Sequence, residues 1–321
     1  MPTSPSNKRP VVVITMGDPS GIGPEVTLKA LASPRVKGLA DFLVIGDKFV
    51  CDKLKRDLGL TLKAPLLNIP NVPRKSFSYG KSKASYGAAS IEYIDKALEL
   101  IDNGKAASLV TAPVNKSSIR ASGLKGFEGH TEYLARKTAT KDFAMMFVGK
   151  GLKVSLVTRH IALKEVPESL SIDNIYRTIA LTHKYLVKYF KIRNPRIAVS
   201  GLNPHAGEKG SFGKEEKRII IPAIRKASRR MGGITGPVPS DTVFYEALKR
   251  KYDCVVAMYH DQALAPFKML YFYDGVNLTI GLPFIRTSPD HGTAFNIAGR
   301  GTANPVSMIE AIKLACSLKV S

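Results

Sequence analysis

Three histidines follow three apolar runs, and a neutral imidazole is a common ligand for transition metals. His160 follows KVSLVT, His205 follows RIAVSGLNP, and His260 follows DCVVAM and Tyr259. Each run has the composition of a buried strand, and open α/β sheets bind ligands beyond the carboxyl ends of their strands. Taken alone, each histidine is more simply interpreted as a loop residue. Together, the three predict a metal site at one edge of a sheet.

Two further segments have the composition of anion-binding loops. The first is GDPSGIGPE (17–25), between a strand-like run and a helix start. Free backbone N–H groups at a helix N-terminus suit an anion, and the loop equally fits a tight turn that needs glycine. It is neither G-x-G-x-x-G nor a P-loop, which excludes a Rossmann fingerprint. The second is TAPVNK (111–116), where Lys116 could contact an anion and Asn115 could cap a helix.

Polar residues also surround another histidine, His130, and one of the three named above, His260. In GHTE (129–132), His130, Thr131 and Glu132 could orient a polar ligand, or Thr131 could form a helix capping box. In YHDQ, Asp261 could support an imidazole as a neighbouring carboxylate. Near the C-terminus, residues 286–305 are rich in glycine and hydroxyl side chains, and such loops usually bind a ligand.

The elements that must position these residues alternate between strands and helices. Strands are predicted at 11–16 and 42–46 and in the runs SLVTAPV, FAMMFV, KVSLVT, RIAVSGL and DCVVAMY. Helices are predicted from Pro24, from Asp47 to about Leu58, over 86–103 and over 172–192. This alternation predicts an α/β fold with mostly parallel strands.

Composition narrows the class of protein. The chain has 321 residues, which suggests two domains. Its three cysteines have no paired spacing, and its polar N-terminus precedes only six apolar residues, so we expect neither a disulfide framework nor a signal peptide. A cytoplasmic protein is expected. The net charge of +22 comes from scattered residues, and a nucleic-acid-binding role would rest on that charge alone. We therefore predict no nucleic-acid or membrane partner.

Eight motifs in order make the chain similar to a known family. They are GDPSGIGPE, TAPVNK, GHTE, GLNPHAGE, DTVF, MYHDQ, GVNLTIGLPFIRTSPDHGTA and AGRGTANP. Together they resemble the 4-hydroxythreonine-4-phosphate dehydrogenase family of vitamin B6 biosynthesis, from about Val11 to Ala315. Two of the loops also resemble the wider isopropylmalate and isocitrate dehydrogenase group, which binds nicotinamide cofactors without a Rossmann fingerprint.

The resemblance implies an isopropylmalate-dehydrogenase-like subunit of two α/β/α domains with a cleft between them, working as a homodimer. We expect a first domain of residues 1–118 and 271–321 and a second of 119–270. His160, His205 and His260 match the family's metal ligands, one of them contributed across the dimer interface. The residues that match substrate contacts are His130, Thr131, Lys268, Asn277 and Arg286.

The resemblance also implies NAD-dependent chemistry. The expected reaction oxidises 4-phosphooxy-L-threonine to 2-amino-3-oxo-4-phosphooxybutanoate, a β-keto acid that loses carbon dioxide to give 3-amino-2-oxopropyl phosphate. Three imidazoles favour zinc or cobalt, and the family also accepts magnesium. Asn296 stands where isopropylmalate-type relatives carry an aspartate, which leaves NADP possible. The cofactor contacts are expected at Asp241, Thr242, Phe244, Thr287, Gly292, Thr293 and Asn296.

Two points stay open at the level of sequence. His130, Asp261 and Lys268 are candidates for the general base, in that order. The alternative function is that of a sister dehydrogenase acting on 4-phospho-threonate or 4-phospho-erythronate, since little in the sequence marks such a change of substrate.

Overall fold

The computed structural model describes residues 11–318. Its strands are β1 (Val11–Thr15), β2 (Asp41–Gly46), β3 (Leu66–Asn68), β4 (Ser108–Thr111), β5 (Ala144–Val148), β6 (Lys153–Leu156), β7 (Ile197–Ser200), β8 (Ile234–Val238), β9 (Cys254–Ala257), β10 (Val276–Ile280) and β11 (Ile285–Pro289). Its α-helices are α1 (Gly23–Ala32), α2 (Lys48–Leu58), α3 (Ala84–Asp102), α4 (Lys116–Ala121), α5 (His130–Lys137), α6 (Val166–Ser169), α7 (Ile172–Lys188), α8 (Ile221–Ser228), α9 (Ser240–Leu248), α10 (His260–Tyr271) and α11 (Val306–Ser317).

The chain forms two compact units. Unit 1 comprises the residues up to Tyr133 and from Phe284 onward, and unit 2 comprises Leu134–Pro283. Both boundaries lie later in the chain than those expected at 118 and 270. Tyr133 accounts for the first difference, because its hydroxyl donates to Asp95 of α3 at 2.6 Å. The pairing of β10 with β5 accounts for the second, because it holds residues 276–280 in unit 2.

Unit 1 contains a parallel sheet in the order β3-β2-β1-β4-β11. The inner strands are buried on both faces, and Val13, Ile14, Leu109 and Val110 are without exposed surface. Strands of this kind read as continuous apolar runs, which is why the sequence predicted β1 and β4.

Unit 2 contains strands in the order β10-β5-β6-β9-β7-β8. β6, β9, β7 and β8 are parallel, whereas β5 is antiparallel to both β10 and β6. A buried aromatic pair, Phe147 of β5 and Phe267 of α10, packs with its ring centroids 5.8 Å apart in the core of this unit. The predicted α/β fold with mostly parallel strands is therefore confirmed.

Most helix boundaries follow the predicted signals. Asp47 caps α2 by accepting from Phe49 N at 2.8 Å, and Gly104 follows the end of α3 with a φ of +68°. The helix predicted over 172–192 was too long, since α7 ends at Lys188. Lys191 there adopts a φ of +59°, and Ile192 N donates back to Leu186 O at 3.0 Å, which turns the chain away from the helix axis.

Four strands were not predicted: β3, β8, β10 and β11. β8 was missed because Gly236 and Pro237 interrupt the pattern of apolar residues that marks a strand, and both residue types are tolerated in β8 because it lies at the edge of the sheet. None of the helices within residues 11–318 combines the length and the apolar character required to cross a lipid bilayer.

Candidate active site

Two of the predicted metal-binding histidines lie together. The strands β6, β9 and β7 are parallel neighbours, so their carboxyl ends lie along one edge. His160 follows β6, and His260 opens α10 soon after β9. Their ring centroids are 5.5 Å apart, and both line a pocket of about 300 Å³ together with Arg159 and Tyr259. Two imidazoles at this separation suit a divalent metal with nitrogen ligands.

A carboxylate orients one of these imidazoles. His260 Nδ1 and Asp261 Oδ1 are 2.7 Å apart, and the Asp261 side chain is otherwise mostly exposed. A carboxylate on Nδ1 favours the tautomer that leaves Nε2 for a metal. The structure therefore gives Asp261 the supporting contact that the sequence suggested for it.

Gln262 connects the strand ends that precede the histidines. Its Oε1 accepts from Met258 N at 2.6 Å, after β9, and its Nε2 donates to Gly201 O at 2.7 Å, after β7. The side chain is buried, so both hydrogen bonds are shielded from water. The amide therefore fixes the spacing between the segments that lead to His260 and His205.

His205 lies on a turn after β7, in the segment Pro204–Gly210. Its ring centroid is 6.2 Å from that of Phe212. Within residues 11–318 of one chain, no three histidine, cysteine, aspartate or glutamate side chains are grouped closely enough to hold a metal ion. A single chain thus brings His160 and His260 together and does not add His205 to them.

In unit 1 the main feature is a buried cation. Arg286 of β11 is only 2% exposed, and its Nε and Nη2 donate to Thr111 Oγ1 at 3.1 and 2.6 Å. Burial lowers the pKa of Arg286 to about 9, while the Glu132 carboxylate raises it. Arg286 is still protonated at neutral pH, and a desolvated guanidinium binds an anion strongly.

His130, the first residue of α5, lies beside this cation. Burial holds the pKa of His130 well below its usual range, and the positive charges of Arg286 and Lys116 lower it further. Its Nε2 is shielded from solvent and has no hydrogen-bond partner among the described residues. The imidazole is therefore neutral at physiological pH, with one nitrogen available to a ligand.

The side chains of Lys116 and Glu132 lie beside Gly129, the residue that precedes His130. A Cβ at Gly129 would lie 3.2 Å from Glu132 Oε2 and 3.9 Å from Lys116 Nζ, so glycine leaves room for both side chains. Asn115 caps α4 through Ser118 N at 2.7 Å, as one of the two sequence interpretations proposed. Thr131 is buried in the first turn of α5 and does not precede it, which leaves it outside the N-cap position of a capping box.

The remaining predicted substrate contacts lie in unit 2. Asn277 is on β10, and its Oδ1 is buried without a hydrogen-bond partner in the part of the chain that the structure describes. Lys268 is on α10 and is partly buried. The orphaned amide oxygen of Asn277 marks it as a group that can accept from a ligand.

The seven residues predicted to contact the cofactor are found in both units. Thr287, Gly292, Thr293 and Asn296 lie in unit 1, and Asp241, Thr242 and Phe244 lie on α9 in unit 2. Gly292 and Asn296 are exposed. Two of the side chains make contacts within the protein: Thr287 Oγ1 donates to Ala311 O at 2.8 Å, and Phe244 packs in the core of unit 2.

The glycine loop at 17–25 is closely packed. A Cβ at Gly17, whose φ is +70°, would lie 2.2 Å from Pro113 O, and a Cβ at Gly21 would lie 3.0 Å from Thr293 O. Inside the loop, Asp18 Oδ1 accepts from Ser20 N and Ser20 Oγ at 2.9 and 3.0 Å. The glycines are thus required by the turn, which supports the structural interpretation of this motif.

Three residues near the predicted site were given no role by the sequence. Thr111 and Gln262 were quoted only as parts of motifs, and Glu216, which accepts from Leu202 N and Asn203 N, belonged to none. Thr111 carried a usable signal, because it ends a predicted parallel strand. Glu216 carried none, because its partners lie in a different segment of the chain.

The chain is similar to known proteins over most of its length. The family model described as pyridoxal phosphate biosynthetic protein PdxA matches residues 39–315. A 4-hydroxythreonine-4-phosphate dehydrogenase from Desulfosudis oleivorans is 45% identical, with 96% of each chain covered. A D-threonate 4-phosphate dehydrogenase from Salmonella typhimurium is 43% identical, with 96% of this chain and 98% of that protein covered.

Solved structures show the same relationship. The crystal structure of 4-hydroxythreonine-4-phosphate dehydrogenase from Klebsiella pneumoniae is similar with a TM-score of 0.86 and 39% identity, over 98% of this chain and 99% of that chain. A β-decarboxylating dehydrogenase from Thermococcus kodakarensis is 13% identical with a TM-score of 0.50, over 94% of this chain and 81% of that chain. The second likeness concerns the fold alone, and it agrees with the expected isopropylmalate-dehydrogenase-like architecture.

The order of the motifs, the fold and the matches over nearly the whole length therefore lead to one conclusion: this chain is a member of the PdxA family of pyridoxal phosphate biosynthetic proteins.

Proposed function

We propose that this protein is an NAD-dependent dehydrogenase that oxidises 4-phosphooxy-L-threonine to 2-amino-3-oxo-4-phosphooxybutanoate, which decarboxylates to 3-amino-2-oxopropyl phosphate. The observation that carries the proposal is the buried Arg286 next to a neutral His130, whose Nε2 has no hydrogen-bond partner within residues 11–318. A buried guanidinium binds phosphate and carboxylate groups strongly, and the phosphorylated substrate carries both.

The residues of unit 1 bind the anionic part of the substrate. Thr111 fixes the guanidinium of Arg286 through two hydrogen bonds, so its remaining N–H groups have a defined direction. The neutral His130 can accept a proton from a hydroxyl group at physiological pH, and this supports it as the general base over Asp261 and Lys268. Asp261 already contacts His260, which favours an orienting role for that carboxylate.

The histidines of unit 2 would hold a divalent metal. His160 and His260 fit such a group, because their rings are 5.5 Å apart and a carboxylate orients one of them. When bound, the metal would supply a Lewis acid that lowers the pKa of the substrate hydroxyl and stabilises the developing carbonyl oxygen. Zinc or cobalt suits imidazole ligands better than magnesium does.

We propose a homodimer in which a second copy contributes His205. Apolar side chains next to the histidine pair remain exposed in one chain: Leu163 is 68% exposed, and Ile161 40%. On α10 and just after it, Met269 and Phe272 are 82% and 64% exposed. Exposed apolar surface of this extent beside a binding pocket is typical of a protein interface.

NAD is the proposed cofactor, with NADP as the alternative. The exposed loop positions Gly292 and Asn296 support contacts there, whereas the buried positions of Thr287 and Phe244 favour a supporting role for those two side chains. An amide at 296 can bond a ribose hydroxyl without repelling a 2′-phosphate as a carboxylate would.

A second substrate is supported by a specific comparison, since a relative of 43% identity is a D-threonate 4-phosphate dehydrogenase. The test is an assay of NAD and NADP reduction with 4-phosphooxy-L-threonine and with D-threonate 4-phosphate, in the presence of zinc, cobalt or magnesium. We expect the wild type to oxidise 4-phosphooxy-L-threonine and His205→Ala to have no activity. Turnover of D-threonate 4-phosphate alone would establish the sister activity, and full activity of His205→Ala would refute the metal assignment.

A further inference from the structure

The turn that carries His205 has an uncommon backbone. Five consecutive residues, from His205 to Lys209, have φ values between +37° and +78°, and only Gly207 among them is a glycine. Residues with a Cβ avoid this left-handed conformation, because the Cβ approaches the following carbonyl oxygen. Contacts outside the turn must therefore stabilise it.

One buried carboxylate makes those contacts. Glu216 is 2% exposed, and its Oε1 accepts from the backbone N–H groups of Leu202 and Asn203, both at 2.8 Å. Its Oε2 accepts from Asn203 Nδ2 at 3.0 Å. Three hydrogen bonds to this one side chain thus hold the residues that lead into the turn.

Close packing presses the turn against this carboxylate. A Cβ at Gly207 would lie 2.5 Å from Glu216 Oε2, and a Cβ at Gly201 would lie 2.8 Å from the Ala206 Cα. The two glycines let the turn approach both Glu216 and the end of β7. The position of His205 relative to β7 is therefore set by Glu216 and by the two glycines, Gly201 and Gly207.

We propose that Glu216 is a positioning residue for metal binding. Its carboxylate holds the left-handed turn and thereby directs the His205 imidazole toward the metal. The inference rests on the metal site of the proposed function and adds to it a residue outside the ligand set. Residues that orient a metal ligand commonly contribute about 10–100-fold to metal affinity.

The chain offers a matched control at the neighbouring position. Glu215 Oε2 accepts from Asn203 Nδ2 at 2.8 Å, so Glu215→Gln perturbs the same amide and removes the same charge. It leaves the backbone hydrogen bonds to Glu216 in place. Glu216→Gln keeps the size of the side chain and an acceptor oxygen, and it tests the role even if Glu216→Ala folds poorly.

The experiment measures zinc affinity of the full-length protein by competition with a chelator, and amide hydrogen exchange at Leu202 and Asn203. Glu216→Ala should bind zinc about 10–100-fold more weakly and exchange both amides faster. Glu216→Gln should be intermediate, and Glu215→Gln should match the wild type in both measurements.

Three outcomes are decisive. Wild-type zinc affinity in both Glu216 variants would overturn the inference and leave the proposed metal site intact. Equal loss of affinity in Glu215→Gln and Glu216→Gln would also overturn it, because a general effect of acidic charge would then explain the result. Failure of the wild type to bind zinc would instead refute the metal site itself, and the inference with it.

Discussion

Replacement of Arg286 by methionine removes the buried cation at a similar side-chain length. Arg286 is 2% exposed, so its hydrogen bonds to an anion form away from water. A hydrogen bond to a charged group contributes about 1.5–3 kcal/mol, so two of them from a guanidinium contribute at least about 3 kcal/mol. Since about 1.4 kcal/mol corresponds to a factor of ten, kcat/KM for the phosphorylated substrate should fall roughly a hundredfold.

The assay is the initial rate of NAD reduction over a range of substrate concentrations, with the folded fraction checked by thermal unfolding. The folded fraction matters because the variant leaves Thr111 Oγ1 without two donors and Glu132 without a buried countercharge. Arg74→Met is the control, since Arg74 is an exposed cation of the same unit. An unchanged kcat/KM in folded Arg286→Met protein would refute the assignment of Arg286 to the anion site.

Three further predictions concern charge in unit 1. Lys116→Met should weaken binding of inorganic phosphate, measured by calorimetry, by about tenfold. The control is Lys105→Met, at the opposite end of β4, which should leave phosphate binding unchanged. Equal effects of the two substitutions would show that Lys116 acts only through the net charge of the protein. The pKa of His130 is lowered by burial, Arg286 and Lys116, so the unfolded chain binds the extra proton and stability should fall as pH drops below about 6.5. Thermal unfolding of the wild type and of His130→Gln between pH 5 and 7 tests this, and an identical pH dependence would contradict it. Burial raises the pKa of Asp18 to about 6, so above that pH its ionised form opposes folding, and Asp18→Asn should stabilise the protein at pH 8 by up to about 3 kcal/mol. Urea unfolding at pH 8 and at pH 4 measures this gain, which should disappear at the lower pH; a loss of stability at pH 8 would show that the charged form is the one the loop needs.

Sequence alone determined the features that depend on neighbouring residues. The strands β1, β4, β6, β7 and β9 could be predicted from the sequence, because strands buried on both faces are continuous runs of apolar residues. Asp47 and Asn115 capped helices as their side chains predicted, because a cap bonds an N–H only two or three residues away. The order of the motifs indicated the family, and the apolar runs before His160, His205 and His260 indicated that these histidines follow strands.

Other features needed the folded chain. Phe244 packs in the core of unit 2, a placement that the sequence did not indicate, because a motif does not specify which side of a helix faces inward. The edge strand β8 was missed because its glycine and proline hide the pattern, and its hydrogen-bonding partner β7 is what makes it a strand.

The chemistry of the site was also predictable only in part from the sequence. The types of residue at the ends of the strands were evident from the sequence, because each motif is a short local pattern. Their charges and hydrogen bonds depend on the tertiary structure. Arg286 donates to Thr111, 175 positions away, and Glu216 accepts from backbone N–H groups more than ten residues before it. Burial and partners at that distance set charge, pKa and backbone conformation, and they exist only once the chain is folded.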